Sequence, residues 1–333
     1  MSARKGTSPY ASMLGLALRP SRKTRYTVLD LFSGCGGLSL GFEAAGFGSH
    51  GIDCDENCVR TYGANLSGKC SNLVIGGRTD FPDADVIIGG PPCQPFSVRG
   101  KQGGSTDKRN GFPAFVAAIR KIRPRAWVLE NVQGVMYKNH AYFEGTMRKL
   151  AKLGYGVSVN VINCVDYGVP QNRVRVIAMG IEGNNAPKEP EKAPMRVSAG
   201  EAIGDLVRKT PKNPKFLTAS MDRYVAAYEK ASKCVRPRDL HMDRPARTLT
   251  CRNLAGATSD MHRIKLRDKR RRRLTVREAA RLQSFPDWFE FYGSELDKFY
   301  QIGNAVPPLF ALVIAKQVRK ALAENQSVDC EHP

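Results

Sequence analysis

Cys93 is, by type and by neighbours, the best-placed nucleophile in this chain. It stands in residues 89–97, GGPPCQPFS. The apolar run Val86, Ile87, Ile88 reads as a strand ending at Gly89 and Gly90, where a ligand or another backbone can approach closely. Pro91 and Pro92 fix φ and continue neither strand nor helix, so they stiffen the loop that carries the thiol. A thiol held there can attack an electrophilic carbon. Glu130 follows the strand-like run Trp127–Leu129 and can serve as an acid toward a substrate held by that thiol. Arg173 and Arg175, in DYGVPQNRVR (166–175), alternate and can share one strand face, where planar guanidinium groups suit a base carbonyl or a carboxylate. Asn304, in YQIGNAVPP (300–308), follows a glycine and precedes an apolar helix, and its amide can pair with an amino or carboxylate group. Taken singly, each has a plainer reading as a turn cysteine, a capping acid, an exposed basic edge or a helix boundary. Their joint occurrence favours chemistry.

The elements that must position these groups alternate. Thr27–Phe32 is a short β-type run ending in Asp30, Leu31 and Phe32; it breaks at the glycine-rich turn Ser33–Gly37 and gives way to a helical pattern over Leu38–Ala45. Further strands are expected to end near Asp53 and over Asp85–Ile88 and Ala126–Leu129, with helices at Glu56–Leu66 and Phe112–Ile122. This alternation predicts an α/β fold with a doubly wound, mostly parallel sheet. Gly34, Gly36 and Gly37 leave room for a nucleotide-like ligand across the strand ends, and Phe32 can stack on an adenine. Asp53, about 20 residues on, can accept ribose hydroxyls. The turn is not GxGxxG, which disfavours a nicotinamide dinucleotide.

The 333 residues include 52 Lys and Arg against 31 Asp and Glu, a formal charge of +21. Such an excess suits a polyanion and salt-sensitive nucleic-acid binding. The nine cysteines form no CxxC pair and are odd in number, which argues against a zinc site and a disulfide framework and for a reducing compartment. Met13–Leu18 is too short and interrupted for a secretory core, and no run approaches the roughly 20 apolar residues that span a bilayer. A soluble, metal-free, intracellular protein is expected.

Together, residues 28–46, 89–97, 129–132 (LENV), 166–175, 273–287 and 300–308 resemble, in order, the motif series of DNA (cytosine-5) methyltransferases. The resemblance spans nearly the whole chain and implies an S-adenosylmethionine-dependent methyltransferase fold with a smaller target-recognition region. It implies that Cys93 is the catalytic thiol and Glu130 the acid of the ENV motif, with Arg173 and Arg175 supporting the cytosine and the catalytic loop. Asp30, Phe32, Gly34, Gly37, Asp53, Cys54, Asn72, Pro92, Asn304 and Ala305 are implied to line the S-adenosylmethionine pocket. Residues 94–110, with Gln94, Ser97, Arg99 and Lys101, match the loop that closes over DNA. Arg247, Thr248, Thr250, Arg252 and Asn253 fall in the slot that contacts bases, while most arginines of 263–273 are expected to grip phosphate. Three positions depart from the pattern: Asn72 replaces an aspartate, Cys54 a bulkier apolar residue, and Asn110 a glycine at the loop's far end.

The expected organisation is a basic, loosely ordered extension over 1–24, a catalytic and cofactor-binding part over 25–180, target recognition over 181–270, a return to the catalytic part over 271–325, and a tail over 326–333. The implied function is sequence-specific methylation of a flipped cytosine in double-stranded DNA through a covalent Cys93 adduct. The absence of any appended chromatin module in this sequence favours the modification half of a bacterial restriction–modification system. Such an enzyme would be a cytoplasmic monomer whose functional partner is a cognate endonuclease. Two competitors remain: a tRNA cytosine-5 methyltransferase, whose Cys-Phe-Thr signature is missing from 181–270, and a catalytically dead DNA-binding paralogue.

Overall fold

The computed structural model describes residues 8–76, 79–92, 111–137, 139–183, 185–209, 211–231, 238–256 and 260–329. Seven strands form one sheet: β1 (Thr27–Leu31), β2 (Gly48–Asp53), β3 (Lys69–Asn72), β4 (Val86–Gly89), β5 (Ala126–Val132), β6 (Tyr155–Asn163) and, after the two-residue β7 (Gln171–Asn172), β8 (Val174–Glu182). Their order is β3-β2-β1-β4-β5-β8-β6. The first five are parallel, and β8 alone runs against the rest, antiparallel to both β5 and β6. The expected doubly wound, mostly parallel sheet is therefore present.

Both faces are covered, which is why the central strands are apolar without alternation. Val28, Val86, Ile88, Ala126 and Val128 face one buried cluster, and Leu29, Leu31, Ile87, Trp127 and Leu129 face the other. On the first face lie α2 (Gly37–Ala44) and the long α11 (Pro308–Asp329); on the second lie α4 (Phe112–Ile122) and α5 (His140–Ala151). Helix α3 (Glu56–Asn65) connects β2 to β3 and is capped by Asp55, whose Oδ1 accepts from the Cys58 N–H at 2.9 Å.

Two expectations change. Residues 9–17, read as part of a loose extension, form helix α1 (Pro9–Ala17), started by the Ser8 cap and Pro9 at its first turn. Tyr10, Ala11 and Leu14 are buried in it, and the Trp288 indole donates to the Gly15 carbonyl at 3.3 Å. Strand β5 runs on through Glu130 to Val132, so Glu130 lies within the ladder, opposite Ile177.

Residues beyond β8 carry α6 (Ala199–Val207), α7 (Ala219–Ala231), the short β9 (Ala246–Arg247), α8 (Cys251–Ala255) and the hairpin β10 (Arg263–Lys265) and β11 (Arg271–Arg273). The chain then returns through α9 (Val276–Leu282) and α10 (Glu295–Asn304) to α11. What seats α11 is the absence of side chains on α2: a Cβ on Gly41 would lie 2.3 Å from the Leu312 nitrogen, and one on Gly37 2.4 Å from the Val306 carbonyl. The segment 300–308 is thereby pressed against the glycine turn that follows β1. Gly41→Ala is expected to separate these backbones and to lower unfolding free energy by about 1–3 kcal/mol, measured as a lower denaturant midpoint at unchanged slope.

Candidate active site

In a doubly wound sheet, ligands bind beyond the carboxyl ends of the strands where the strand order reverses. That point here lies between β1 and β4. It is flanked by the turn 32–37 after β1 and by Gly90, Pro91 and Pro92 after β4. Because β8 is antiparallel to β5, its first residues reach the same edge: Val132 pairs with Arg175, and Glu130 with Ile177. Glu130 and Arg175 are thus diagonal neighbours on one face, and they form an ion pair with Arg175 Nε 2.8 Å from Glu130 Oε1. Both side chains are about nine-tenths buried, at 11% and 10% exposure. A pair this dry is held in one geometry, and removing either partner strands a charge.

The Pro–Pro segment is bound to this pair. Asn131 Nδ2 donates to the Pro91 carbonyl at 3.1 Å. A Cβ on Gly90 would lie 3.2 Å from Glu130 Oε2, so glycine lets the chain pass this close without displacing the carboxylate. A Cβ on Gly111 would lie 2.8 Å from Pro92 Cδ and 3.0 Å from Phe32 Cζ. Pro92 and Gly111, the residues flanking 93–110, therefore sit side by side against Phe32. Cys93, Gln94, Ser97, Arg99, Lys101 and Asn110 lie outside the described residues. Asn131 and Gly111 carry the geometry of this corner but were not singled out in the sequence. Asn131 is visible there as the centre of LENV.

The glycine turn is strained and built from below. Phe32 has φ 62°, a left-handed conformation that costs a non-glycine residue about 1–3 kcal/mol. Gly34 (φ 53°) and Gly36 (φ 87°) follow. A Cβ on Gly34 would meet nothing within 4 Å, which leaves open space over the turn. Asp53 Oδ2 accepts from the Gly34 N–H at 2.8 Å and its Oδ1 from the Asp55 N–H at 2.9 Å, so the carboxylate ties the end of β2 to the turn. Cys54 and Asn72 are exposed at the ends of β2 and β3. Asp30, expected among the cofactor contacts, is instead buried beneath the turn at 1% exposure and accepts from the Ser39 hydroxyl at 2.7 Å. Burial raises its carboxyl from an ordinary 3.8 to about 7.

Arg173 and Arg175 do not act alike. Arg173 is 1% exposed, and its guanidinium donates to the carbonyls of Leu249 (2.9 Å), Gly303 (3.3 Å) and Ala305 (3.0 Å), away from Glu130 Oε1. Asn304 is exposed at the end of α10, and its Oδ1 accepts from the Cys251 thiol at 2.8 Å.

A model of C-5 cytosine-specific DNA methylases matches residues 26–320. The chain belongs to that family. It is a DNA (cytosine-5) methyltransferase by descent. The type II methyltransferase M.AplI of Arthrospira platensis is 51% identical over 314 residues, covering 94% of this chain and 91% of that relative. The type II methyltransferase M.MthTI of Methanothermobacter thermautotrophicus is 33% identical over 321 residues, 89% and 97% of the two chains. The S. pombe Dnmt2 methyltransferase shares the fold, with a TM-score of 0.70 at 18% identity over 89% of this chain and 99% of that one. Among the described residues no cluster of His, Cys, Asp or Glu is suited to a metal ion, and no helix is long and apolar enough to cross a membrane.

The basic tract of this methylase is not what its composition suggested. Arg263 is fully buried between Glu229 and Asp239 (Nε–Oδ1 2.6 Å). Arg271 joins Asp239 (3.0 Å) and Asp222 (3.2 Å). Arg272 and Glu278, each 1% exposed, form a two-pronged pair at 2.9 and 2.7 Å. Arg273 donates to the Leu254 carbonyl at 3.0 Å. The expectation that most of these arginines grip phosphate is therefore corrected: four of them are internal ties. The separate apolar cluster here holds only Leu217, Val225 and Met261 with Met221 against it, so ion pairs supply much of the local definition. Lys265, Arg267, Lys269 and Arg270 remain exposed.

The base-contact candidates divide similarly. Asn253 is buried and, with Thr250, forms the capping box of α8. The Thr248 hydroxyl donates to the Asn172 carbonyl, and Arg247 pairs with Asp260 at 3.0 Å. Arg252 alone of the five is exposed.

Arg272→Met leaves Glu278 buried without its partner and is expected to cost about 3–5 kcal/mol, read as a large drop in thermal midpoint. Asp30 yields a pH signature. Folded, its carboxyl keeps its proton to about pH 7, whereas unfolded it loses it near 3.8. Its contribution to folding is complete below about 3.8 and lost as pH rises through about 7. Asp30→Asn removes that loss, so the variant should gain on wild type between pH 5 and pH 8 in chemical denaturation.

Proposed function

We propose that the corner formed by Pro92, Glu130, Arg175 and the 32–37 turn is the catalytic centre for methyl transfer to carbon 5 of a cytosine flipped out of duplex DNA. The observation that carries the reading is the buried Glu130–Arg175 pair packed on Gly90, three residues before Cys93 in sequence. None of these groups reaches a stacked base, so the cytosine must leave the helix at a cost of roughly a few kcal/mol.

The pocket residues fit S-adenosylmethionine. The turn leaves open space over Gly34, the Asp53 carboxylate is tied to that turn, and the ends of β2 and β3 and the Asn304 amide are exposed. Phe32, Gly34, Gly37, Asp53, Cys54, Asn72, Pro92, Asn304 and Ala305 would hold it, Asp30 acting only from beneath. When bound, it supplies an electrophilic methyl group on a sulfonium. The residues of this chain make the base able to accept that group. The Cys93 thiolate adds to carbon 6 and breaks the ring's aromaticity, which makes carbon 5 nucleophilic. Glu130, oriented by Arg175, shares a proton with ring nitrogen 3 and disperses the charge that develops there. Once carbon 5 carries the methyl group, a base removes the hydrogen of carbon 5, the carbon 6–sulfur bond breaks, and the thiolate is restored.

The exposed basic residues of the β10–β11 tip and Arg252 suit backbone and base contacts, and residues 181–270 form the target-recognition region. The kinship with type II methyltransferases supports a role in protecting DNA from a cognate endonuclease. The test is bisulfite sequencing of plasmid from cells expressing the chain, which should reveal full methylation within one short sequence context. Cys93→Ser should abolish it while retaining affinity for S-adenosylmethionine, and Glu130→Gln should slow a single turnover by about 10²–10⁴-fold. Methylation by Cys93→Ser at the wild-type rate would overturn the mechanism.

A further inference from the structure

Three chain segments meet behind the proposed pocket with no slack between them. A Cβ on Gly303 would lie 2.4 Å from the Cys251 nitrogen and 2.7 Å from the Thr250 carbonyl carbon, so α10 and the start of α8 touch backbone to backbone. Arg173 bridges them from β7–β8: one terminal nitrogen donates to Leu249, just before α8, and the other to Gly303 and Ala305, at the end of α10. Cys251, the first residue of α8, donates its thiol to Asn304 Oδ1 at 2.8 Å and lies 3.5 Å from the Tyr300 carbonyl. Gln171 and Gln283 close the ring. Gln171 Oε1 accepts from the Leu249 N–H at 3.0 Å and its Nε2 donates to the Leu282 carbonyl at 2.8 Å, while Gln283 Nε2 donates to the Ala305 carbonyl. Every hydrogen bond in this set joins a target-side residue, a cofactor-side residue, or the β7 and α9 segments between them.

We propose that Arg173 and Cys251 are positioning residues that couple the two substrates. They fix the turn Gly303–Ala305, on the cofactor side, to the Thr248–Cys251 segment, on the DNA side, so that binding at one sets the geometry of the other. The inference rests on the pocket assignment made above. Its physical basis is that the linkage consists of short, directed bonds to main-chain carbonyls and one side-chain amide, and a displacement of α8 cannot occur without moving Asn304. Arg173 remains charged at neutral pH even though burial brings it down to about 9, so its bonds are charge-assisted and costly to break. Exposed Arg252 projects from the same short helix whose first residue holds Asn304, which gives DNA a handle on the cofactor wall. Coupling of this kind is reciprocal.

The test is calorimetric binding of S-adenosylmethionine to the full chain, alone and with saturating duplex DNA carrying the site found by bisulfite sequencing. In wild type, DNA should tighten the cofactor by about five- to 150-fold. In Cys251→Ala that ratio should fall to within about twofold of unity at a thermal midpoint close to wild type, and in Arg173→Lys it should fall likewise with a lower midpoint. Cys251→Ser, which keeps a donor toward Asn304, should restore it. A loss of folding in the Arg173 variant leaves the cysteine pair as the decisive comparison. Wild-type coupling retained in Cys251→Ala, or no coupling in wild type, overturns the inference. Failure of wild type to bind S-adenosylmethionine at all would instead overturn the pocket assignment.

Discussion

The reversal of one strand governs this structure. Had β8 run parallel to β5, its first residues would lie at the far edge of the sheet, remote from the glycine turn. Running antiparallel, it brings Arg175 opposite Val132 and within 2.8 Å of Glu130. In a dry setting a carboxylate needs a cation or several donors, and this register supplies the cation from a strand about 45 residues away in sequence. The pair then fixes the floor on which Gly90 lies and past which the Pro–Pro segment turns.

The rest of the corner follows from close backbone approach. Gly111 against Pro92, Gly37 against the Val306 carbonyl and Gly41 against α11 are places where a methyl group would collide with another atom, and Gly90 against Glu130 is nearly as tight. Packing at this density transmits displacement, so the strained Phe32 is held by its surroundings rather than by its own preference. Beneath the turn, Asp30, Ser39, Tyr62, Ser49 and Glu43 form a continuous polar chain, with Tyr62 Oη 3.0 Å from Ser39 and 2.7 Å from Ser49, and Ser49 donating to Glu43 at 2.6 Å. Such a network is favourable only when each member is satisfied, and Glu43 completes it by accepting the N–H groups of Ser67 and Gly68.

Charge has two separate roles. The net charge of +21 provides a field suited to a polyanion, yet part of the Arg-rich run lies inside the protein, paired with Glu278, Asp239, Glu229 and Asp222. Buried pairs of this kind contribute little net stability but penalise rearrangement. They define a region whose own apolar cluster is small.

The α/β alternation of the first strands, the glycine turn and the identity of the chemical groups were legible in the sequence, because apolar runs, glycines and prolines act locally. Helix α1 was missed: Ser8–Pro9 is a helix-start signal, but the basic surroundings were read as a loose extension. What local pattern could not decide was partnership. Arg173 and Arg175 are two residues apart and look equivalent, yet one meets a carboxylate and the other three carbonyls from distant segments. Arg252 and Asn253 are adjacent, and only the first is exposed. Arg267 and Arg272 belong to one basic run, and only the second is buried. Composition and spacing determine which chemistry is available along the chain. Which side chain reaches solvent, a ligand or a buried partner depends on which segments, near or far in the chain, are brought together by sheet register and helix packing.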